Sequence, residues 1–541
     1  MLRNRRLRPL AALIALLSVC LGVAASIRPA TASRPAAAGS AAIGPNSGGA
    51  ALPATGSRPN IVFVLTDDLS MDLLRFMPHV QAMQRDGLTF GNYFVSDSLC
   101  CPSRASIFTG NLPHDTGVFS NVGPRGGFHV FYKRGEELDT FAVALQSAGY
   151  RTAMMGKYLN GYLDGPGGKP GVPATYVPPG WTEWDVGGQA YPEFDYRLNE
   201  NGTLRSYGHQ PTDYLTDVLA RKGVDFINGM ARANTPFFLE IATFAPHSPY
   251  TPAPRDAADF PGLTAPRPPS FNVMPTGAPR WLADHAPLTQ HQIDQINAVF
   301  RLRAQDVQSV DEMIGELEQA LSDDGLASNT YIVFSSDNGL HTGEYRLMPG
   351  KMTAFDTDIH VPLIVVGPGV PAGATTAAMT ENIDLAKTFA AIGATDLPSD
   401  GHSLLPLLHG DQPTDWRNAV LIEHQGPDLA GLDPDFQQTA SGSPRTYEAM
   451  RTKRFVYVVY NDGEREFYDL TRNPFELHNL AGRLSLADRA LLDSELAAIE
   501  QCHGGGACWD AMHLDHAISS LRRAGGQRGR PAHPHPRPPR R

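Results

Sequence analysis

Two continuous apolar runs, far apart in the chain, both end in acidic residues. Residues 60–68 read NIVFVLTDD, and residues 330–339 read TYIVFSSDNG. Uninterrupted apolar runs of this kind are typical of strands that are buried on both faces of a sheet, because a strand with one solvated face alternates polar and apolar residues. A chain with such strands must cover both faces of the sheet, which favours architectures in which helices flank the strands.

Segments with helical periodicity lie between the apolar runs. Residues 306–325, DVQSVDEMIGELEQALSDDG, form the clearest amphipathic pattern. Residues 139–150 predict another helix, with Asp139 as its N-cap and Gly149 at its end. A third apolar run, VPLIVVGPG at 361–369, predicts a further strand. This alternation predicts an α/β fold with a large mixed, mostly parallel sheet flanked by helices.

The pattern changes after about residue 410. Residues 451–470, RTKRFVYVVYNDGEREFYDL, contain two apolar segments on either side of an Asn-Asp-Gly turn, which predicts an antiparallel hairpin. We therefore expect a main domain at 58–410 and a smaller C-terminal subdomain with an antiparallel sheet at 411–515.

Both ends of the chain differ in composition from its middle. Four arginines precede an apolar run from Leu10 to Ala25, and small residues follow. This pattern predicts a secretory signal peptide at 1–32 and a secreted or extracytoplasmic protein. The run is shorter than the roughly 20 residues of a spanning helix, so we expect no stable membrane insertion. Residues 33–57 are predicted to be a flexible linker, and residues 516–541 a basic, proline-rich, disordered tail.

Charge and cysteine content narrow the possible partners. The formal net charge of −11 disfavours binding of nucleic acid, and an anionic substrate would need a locally basic pocket. Cys502 and Cys508 bracket a short glycine-rich segment and could form a disulfide in an exported protein. The number of cysteines does not decide the role of Cys100 and Cys101, which could be structural thiols, long-range disulfide partners or reactive residues.

The polar ends of the two apolar strands predict a metal site. Asp67 and Asp68 end one strand, and Asp337 and Asn338 end the other. Ligands of open α/β sheets bind beyond the carboxyl ends of the strands, and these carboxylate and amide oxygens suit calcium or magnesium. Either pair alone is equally consistent with a helix cap or an ordinary turn. Their occurrence after two matched strands favours the metal site.

A second group of potentially reactive residues lies at 98–110, which read SLCCPSRASIFTG. Pro102 suits the first turn of a helix, which places Cys100 at the helix N-terminus. Backbone N–H groups and the helix dipole favour an anion there. Arg104 adds a permanent positive charge that could hold an oxyanion or an anionic nucleophile.

Together these motifs resemble those of the type I sulfatases. In that family the first cysteine of Cys-x-Pro-Ser-Arg is oxidised after translation to formylglycine, and CCPSR at 100–104 resembles this signature. The two strand ends resemble the metal motifs of the family, GKYLNGY at 156–162 its lysine motif, and APHSPY at 245–250 its histidine motif. The double cysteine, together with PPGWTEW at 178–184, is most similar to N-acetylglucosamine-6-sulfatases and their extracellular heparan relatives.

The resemblance implies a fold, an activity and a cofactor. It implies an alkaline-phosphatase-like sandwich with residues 58–410 as the catalytic domain. The activity would be hydrolysis of sulfate esters, with the 6-O-sulfate of N-acetylglucosamine or glucosamine in glycans as substrate. It further implies one Ca²⁺ per chain, and a formylglycine-generating enzyme that converts Cys100 during maturation. The hydrated aldehyde would attack sulfur through one hydroxyl group and expel sulfate through the other.

The same resemblance implies the residue roles. The metal ligands would be Asp67, Asp68, Asp337, Asn338 and the modified Cys100. The sulfate-binding or proton-transferring residues would be Arg104, Lys157, His247 and Lys351. From the residues alone, the two lysines could be solvated surface residues and His247 an ordinary loop histidine. We also expect the segment around His424 to contribute to the rim of the substrate site.

One position departs from the family pattern, and other functions remain open. Many sulfatases have a histidine two residues after the motif lysine, where this chain has Leu159, so either a different group acts there or Asn160 substitutes in hydrogen bonding. The alternatives are an arylsulfatase of broader specificity and a phosphonate or phosphate ester hydrolase. A third is an unmatured protein that only binds glycans.

Overall fold

The computed structural model of the protein describes residues 58–163, 172–426 and 439–514. The predicted signal peptide at 1–32, the linker at 33–57 and the tail at 516–541 lie outside these described residues. Within the described ranges, no helix combines the length and apolar character needed to cross a membrane.

The described residues form sixteen strands and thirteen α-helices, besides short 3-10 turns. The strands are β1 (Asn60–Thr66), β2 (Leu88–Phe90), β3 (Tyr93–Phe94), β4 (Arg151–Lys157), β5 (Glu183–Gly187), β6 (Arg197–Glu200), β7 (Thr203–Ser206), β8 (Phe237–Ala242), β9 (Thr330–Ser336), β10 (Leu363–Val366), β11 (Ala374–Thr376), β12 (Thr380–Glu381), β13 (Ala419–His424), β14 (Tyr447–Thr452), β15 (Phe455–Tyr460) and β16 (Arg465–Asp469). The helices are α1 (Pro78–Asp86), α2 (Cys100–Thr109), α3 (Pro113–Thr116), α4 (Gly127–Arg134), α5 (Phe141–Ser147), α6 (Leu215–Ala233), α7 (Arg280–Ala283), α8 (Gln290–Asp323), α9 (Asp356–Ile359), α10 (Asp384–Ile392), α11 (Leu405–Leu408), α12 (Leu486–Glu500) and α13 (Gly505–Ala511).

Ten strands form one mixed sheet in the order β11-β2-β10-β9-β1-β8-β4-β5-β6-β7. The five central strands β9, β1, β8, β4 and β5 run parallel to one another. The predicted strand at 361–369 is β10, which pairs antiparallel with both of its neighbours. Strands β6 and β7 continue the opposite edge in antiparallel pairing. The sheet is therefore mixed and mostly parallel, as the sequence predicted.

Strand β1 is buried along its whole length, as its continuous apolar run predicts. Ile61, Phe63 and Leu65 pack into the core on one face of the sheet, with helices α2, α5 and α10. Val62 and Val64 pack into the core on the other face, with α1, α6 and α8. Helices therefore cover both faces, and the central strands reach solvent only at their ends.

Two helix boundaries differ from the predicted ones. Helix α5 is capped by Thr140, whose side chain accepts a hydrogen bond from the backbone N–H of Val143, so the predicted cap Asp139 lies one residue too early. Helix α8 begins at Gln290, well before the predicted amphipathic segment, because Thr289 and Gln292 form a capping box there. The early turns of α8 have fewer buried residues, which weakens the periodic signal.

The C-terminal part contains a separate antiparallel sheet in the order β13-β14-β15-β16. Strands β15 and β16 form the predicted hairpin, and Cys502 and Cys508 form a disulfide bond. The sheet contacts the main domain, because the backbone N–H of Glu423 donates to the carbonyl of Ser96 at 2.8 Å. The domain boundary at residue 410 stays a prediction.

Candidate active site

The polar residues after β1 and β9 lie side by side. The two strands are parallel neighbours with Thr66 paired to Ser336, so the residues that follow them leave the sheet at the same edge. The backbone N–H of Asp68 donates to Asp337 Oδ1 at 3.1 Å, and Asn338 Nδ2 donates to Asp68 Oδ1 at 2.6 Å. The structure therefore brings together all four predicted oxygen ligands, and all are buried. These residues, Asp67, Asp68, Asp337 and Asn338, form the acidic cluster.

Cys100 is the first residue of α2 and points at this cluster. Its Sγ lies 3.2 Å from Asp67 Oδ1 and 3.9 Å from Asp68 Oδ1. Burial, and then the negative charges of Asp337 and Asp67, raise the pKa of the Cys100 thiol well above its usual value. An unmodified thiol at this position is therefore protonated and is a poor nucleophile.

Arg104 lies one turn further along α2 and connects two strands of the sheet. Its Nε donates to Asp337 Oδ2 at 2.8 Å, and its NH1 donates to the backbone carbonyl of Lys157 at 3.0 Å. Burial raises the pKa of Asp337, but the charge of Arg104 and then of Lys157 outweighs burial and lowers it below its usual value. Arg104 thus keeps Asp337 ionised in a water-poor site.

The two lysines implied by the resemblance both reach the cluster. Lys157 ends β4, and its ammonium group forms an ion pair with Asp67. Lys351 lies in the loop after β9, and its Nζ is 2.7 Å from Asp68 Oδ1 and 2.8 Å from Cys100 Sγ. Their exposed fractions are 3% and 1%, so the alternative of solvated surface lysines does not hold.

His247 follows β8 and approaches the other carboxylate oxygen of Asp68 from the one that Lys351 contacts. Its Nδ1 lies 2.7 Å from the backbone carbonyl of Ser248, a geometry in which Nδ1 carries a hydrogen and donates. Its Nε2 lies 3.6 Å from Asp68 Oδ2. The ring packs against Tyr191, with ring centroids 4.7 Å apart. The carbonyl of Ser248 therefore orients Nε2 towards the acidic cluster.

The buried donors fit a hard divalent cation. Asp67, Asp68, Cys100 and His247 can each bring a ligand atom to within 4.8 Å of the others. Asn338 Oδ1 is buried and has no hydrogen-bond partner among the residues that the structure describes. Such an oxygen costs about 1 to 3 kcal/mol if it stays unsatisfied. An amide oxygen of this kind is a suitable ligand for a hard cation.

Two residues of the site were missed by the sequence analysis. Arg303 of α8 is fully buried and donates a hydrogen bond to the backbone carbonyl of Asp68, whose φ of 65° lies in the left-handed region. Tyr191 packs against His247, and its ring centroid is 4.9 Å from Lys157 Nζ. Arg303 had a detectable signal, since it is a charged residue on the apolar stripe of an amphipathic helix.

Two further expectations concern Asn160 and His424. Asn160 is buried, and its Nδ2 donates to the hydroxyl of Tyr191 at 3.3 Å, so it contacts a residue that packs against both Lys157 and His247. His424 ends β13 and is also buried, with Nδ1 3.7 Å from Asp97 Oδ1. Its side chain is therefore not part of an exposed rim, and the next residue, Gln425, is more accessible.

Comparisons with known proteins show the family to which the chain belongs. Residues 59–393 match the family described as Sulfatase, and residues 343–500 match the one described as N-sulphoglucosamine sulphohydrolase, C-terminal. The human N-acetylglucosamine-6-sulfatase is 36% identical over 476 residues, which cover 83% of this chain and 85% of the human protein. A Drosophila melanogaster protein named as an extracellular sulfatase SULF-1 homolog is 33% identical over 381 residues, covering 68% of this chain and 33% of that protein.

The solved structures give the same fold. A structure described as a complex with its substrate, D-glucosamine-2-N,6-O-disulfate, has a TM-score of 0.67 at 24% identity. The match covers 82% of this chain and 96% of that one. The sulfatase family match spans more than half of the chain and includes every residue of the acidic cluster and the basic residues around it. This chain therefore belongs to the sulfatase family, and it is an enzyme that hydrolyses sulfuric esters.

Proposed function

We propose that this sulfatase removes the 6-O-sulfate from N-acetylglucosamine or glucosamine residues of glycans, using a formylglycine made from Cys100. The observation that carries the proposal is the position of Cys100. Its Sγ lies 3.2 Å from Asp67 Oδ1 and 2.8 Å from Lys351 Nζ, at the start of a buried helix. The 36% sequence identity to the human N-acetylglucosamine-6-sulfatase supports N-acetylglucosamine as the sugar.

A divalent cation, Ca²⁺, completes the proposed site. Asp67, Asp68, Asp337 and Asn338 would hold it, together with the modified Cys100. Oxygen ligands favour calcium or magnesium over zinc, which prefers nitrogen and sulfur in closed sites. When bound, the ion supplies Lewis-acid polarisation of the nucleophile and of a sulfate oxygen. The unpartnered Asn338 Oδ1 supports a cation at this position.

Side chains of the protein would have the remaining roles in the reaction. Lys351 Nζ is close enough to Cys100 to hold a proton at the nucleophile, and Arg104 keeps Asp337 ionised. The Nδ1–H of His247 is held by Ser248, and in the doubly protonated ring the second proton, on Nε2, would pass to the departing sugar oxygen and leave a neutral imidazole. Lys157, held over the ring of Tyr191, would bind the sulfate group.

An extracytoplasmic location belongs to the same proposal. The disulfide between Cys502 and Cys508 is typical of oxidising compartments, and the N-terminal pattern is that of a signal peptide. Maturation requires a formylglycine-generating enzyme as a transient partner, which would act on the segment CCPSR before or during folding, because Cys100 is fully buried in the folded chain.

The test compares initial rates of the matured enzyme on matched esters. The panel contains N-acetylglucosamine 6-sulfate, glucosamine 6-sulfate, an aryl sulfate, a 2-O-sulfated uronate and the phosphate and phosphonate analogues of the aryl ester. We expect the highest kcat/KM on the two 6-sulfates, and no turnover by Cys100→Ala. Turnover of the aryl ester without turnover of the 6-sulfates would contradict the proposed sugar and favour a broader arylsulfatase. Faster turnover of the phosphate or phosphonate esters would contradict sulfate as the main substrate.

A further inference from the structure

A basic cavity of about 450 Å³ lies on the surface between α4 and the end of β13. Among the described residues that line it, the ionisable ones are Arg125, His129, Lys133 and Arg134, and all are basic. The chain as a whole has a formal net charge of −11. A cavity with only basic groups on such a protein is a local reversal of charge, which attracts anions.

The geometry of the cavity leaves two of its basic side chains available. His129 and Lys133 are four residues apart on α4, so their side chains lie on the same face of the helix. Neither forms an ion pair with any residue that the structure describes. Arg134 is held by Glu136 at 3.1 Å and by the carbonyl of Asp115 at 2.7 Å. The protein thus fixes Arg134, while Lys133 presents an unneutralised charge on the face of α4.

Both walls of the cavity are linked to the segment that begins α2: Asn121 contacts the backbone of Cys101, and His424, which precedes Gln425, has its Nδ1 3.7 Å from Asp97 Oδ1. On one side, Asn121 Oδ1 accepts a hydrogen bond from the backbone N–H of Cys101 at 2.8 Å, and Arg125 is four residues further along. Four residues span at most about 14 Å, which limits the distance between Arg125 and Asn121. On the other side, the guanidinium of Arg125 donates to the side chain of Gln425. Gln425 directly follows the buried His424.

We propose that this cavity binds a second anionic group, a sulfate or a carboxylate, on the sugar next to the one that loses its 6-sulfate. The inference rests on the proposed function and specifies its substrate as a glycan with more than one negative charge. The planar fork of Arg125 suits a carboxylate or sulfate, and Lys133 adds a mobile point charge. Because these groups are exposed, their attraction should weaken as salt rises.

The test uses the double variant Arg125→Gln/Lys133→Gln and three disaccharides that share a terminal N-acetylglucosamine 6-sulfate. In the first the neighbouring sugar is uncharged, in the second it is a uronate, and in the third it is a 2-O-sulfated uronate. For the wild-type enzyme we expect kcat/KM on the charged disaccharides to exceed that on the uncharged one by about fivefold at low salt. The double variant should reduce this ratio to near one.

The matched control is Lys453→Gln/Arg454→Gln. Those two residues form the turn between β14 and β15. Strand β14 pairs with β13 so that Tyr447 lies opposite His424 and Thr452 lies opposite Ala419. The turn that follows Thr452 is therefore at the end of the sheet away from His424. The control should keep the wild-type ratio. A higher kcat/KM that is already present with the unsulfated uronate identifies a carboxylate as the ligand. A higher kcat/KM that is seen only with the 2-O-sulfated uronate identifies a sulfate. Either result supports the inference.

Equal ratios in the wild type and the double variant would overturn the inference, as would an equal loss in the control. A wild-type enzyme that hydrolyses none of the three disaccharides would instead contradict the proposed function. Thermal midpoints of all variants check the fold. If the double variant fails to fold, the single variant Lys133→Gln, whose side chain is exposed, carries the same test with a smaller expected change in ratio.

Discussion

Lys351 and Cys100 are in direct contact, although they are 251 positions apart in the sequence. The ammonium nitrogen lies 2.8 Å from the sulfur and 2.7 Å from an oxygen of Asp68. A positive charge at this distance stabilises negative charge that develops on the nucleophile in the reaction. Lys351 therefore connects the proposed nucleophile to the acidic cluster.

Replacing Lys351 by glutamine should slow turnover without loss of the metal ion. Glutamine keeps a hydrogen-bond donor but removes the charge and the transferable proton, so we expect kcat to fall by about 10²-fold to 10⁴-fold. The affinity for Ca²⁺, measured by calorimetry, should stay the same or rise because a competing cation is removed. Lys222→Gln, which breaks an ion pair with Asp185 away from the cluster, is the control. A kcat close to the wild-type value would contradict the role of Lys351.

The two adjacent cysteines should behave differently. Cys100→Ala should abolish turnover, because it removes the precursor of the nucleophile. Cys101→Ala should retain turnover and lose about 1 kcal/mol of stability, since Cys101 is buried in the core and its contact with Asn121 is made by the backbone N–H. Mass spectrometry of the peptide that contains both residues should show formylglycine at position 100. Fully active enzyme with an unmodified Cys100 would refute this assignment.

Chelation should remove activity, and added Ca²⁺ should restore it. Asp337→Asn removes one negative ligand and the partner of Arg104, so we expect at least about a tenfold loss of metal affinity. Asp396→Asn, at an exposed carboxylate that pairs with Lys387, should bind the metal normally. Calorimetric titration measures both. Undiminished turnover in a demonstrably metal-free enzyme would disprove the metal's role.

Arg303 should act on the metal site through the backbone of Asp68. Arg303→Met removes the donor that supports the left-handed conformation of Asp68, and we expect a loss of metal affinity of about 10-fold to 100-fold. Arg303→Lys keeps the charge and should recover part of the affinity. Arg301→Met, two positions earlier on the same helix, controls for effects on α8. Equal affinities for the methionine and lysine variants would argue against a charge-assisted contact.

His114 should make stability depend on pH at the junction of α3 and β13. Burial lowers the pKa of His114, but the hydrogen bond and charge of Glu423, 2.9 Å from Nδ1, outweigh burial and raise it to about 9. In the unfolded chain the value is about 6.5. The interaction therefore stabilises the fold fully below about pH 6.5 and is lost as the pH rises through about 9.

The variant His114→Asn measures this contribution. It should lower the free energy of unfolding by about 1 kcal/mol near pH 6, with the difference from wild type disappearing above about pH 9. His209→Asn, at an exposed pair with Asp195, should show almost no effect at either pH. Thermal midpoints across this pH range provide the comparison. A constant difference at all pH values would mean that His114 contributes by packing alone.

Local patterns in the sequence were enough to predict several elements. The continuous apolar runs of β1 and β9, the proline in the first turn of α2 and the turn between β15 and β16 each follow from rules that act within a few residues. The prediction of a metal site from the polar residues at the strand ends also rested on a local rule. Helix boundaries were less certain, because Thr140 and Asp139 are both good caps and only the actual hydrogen bond distinguishes them.

The sequence by itself determined which chemical groups are present and which of them follow a strand or begin a helix. Only the tertiary structure decided which groups meet. Strands β1 and β9 become neighbours through the order of the sheet, and this places Asp67 beside Asp337. Lys351 comes from a loop without periodicity, and Arg303 from a helix on one face of the sheet. Their contacts depend on packing between distant segments, which no local rule encodes.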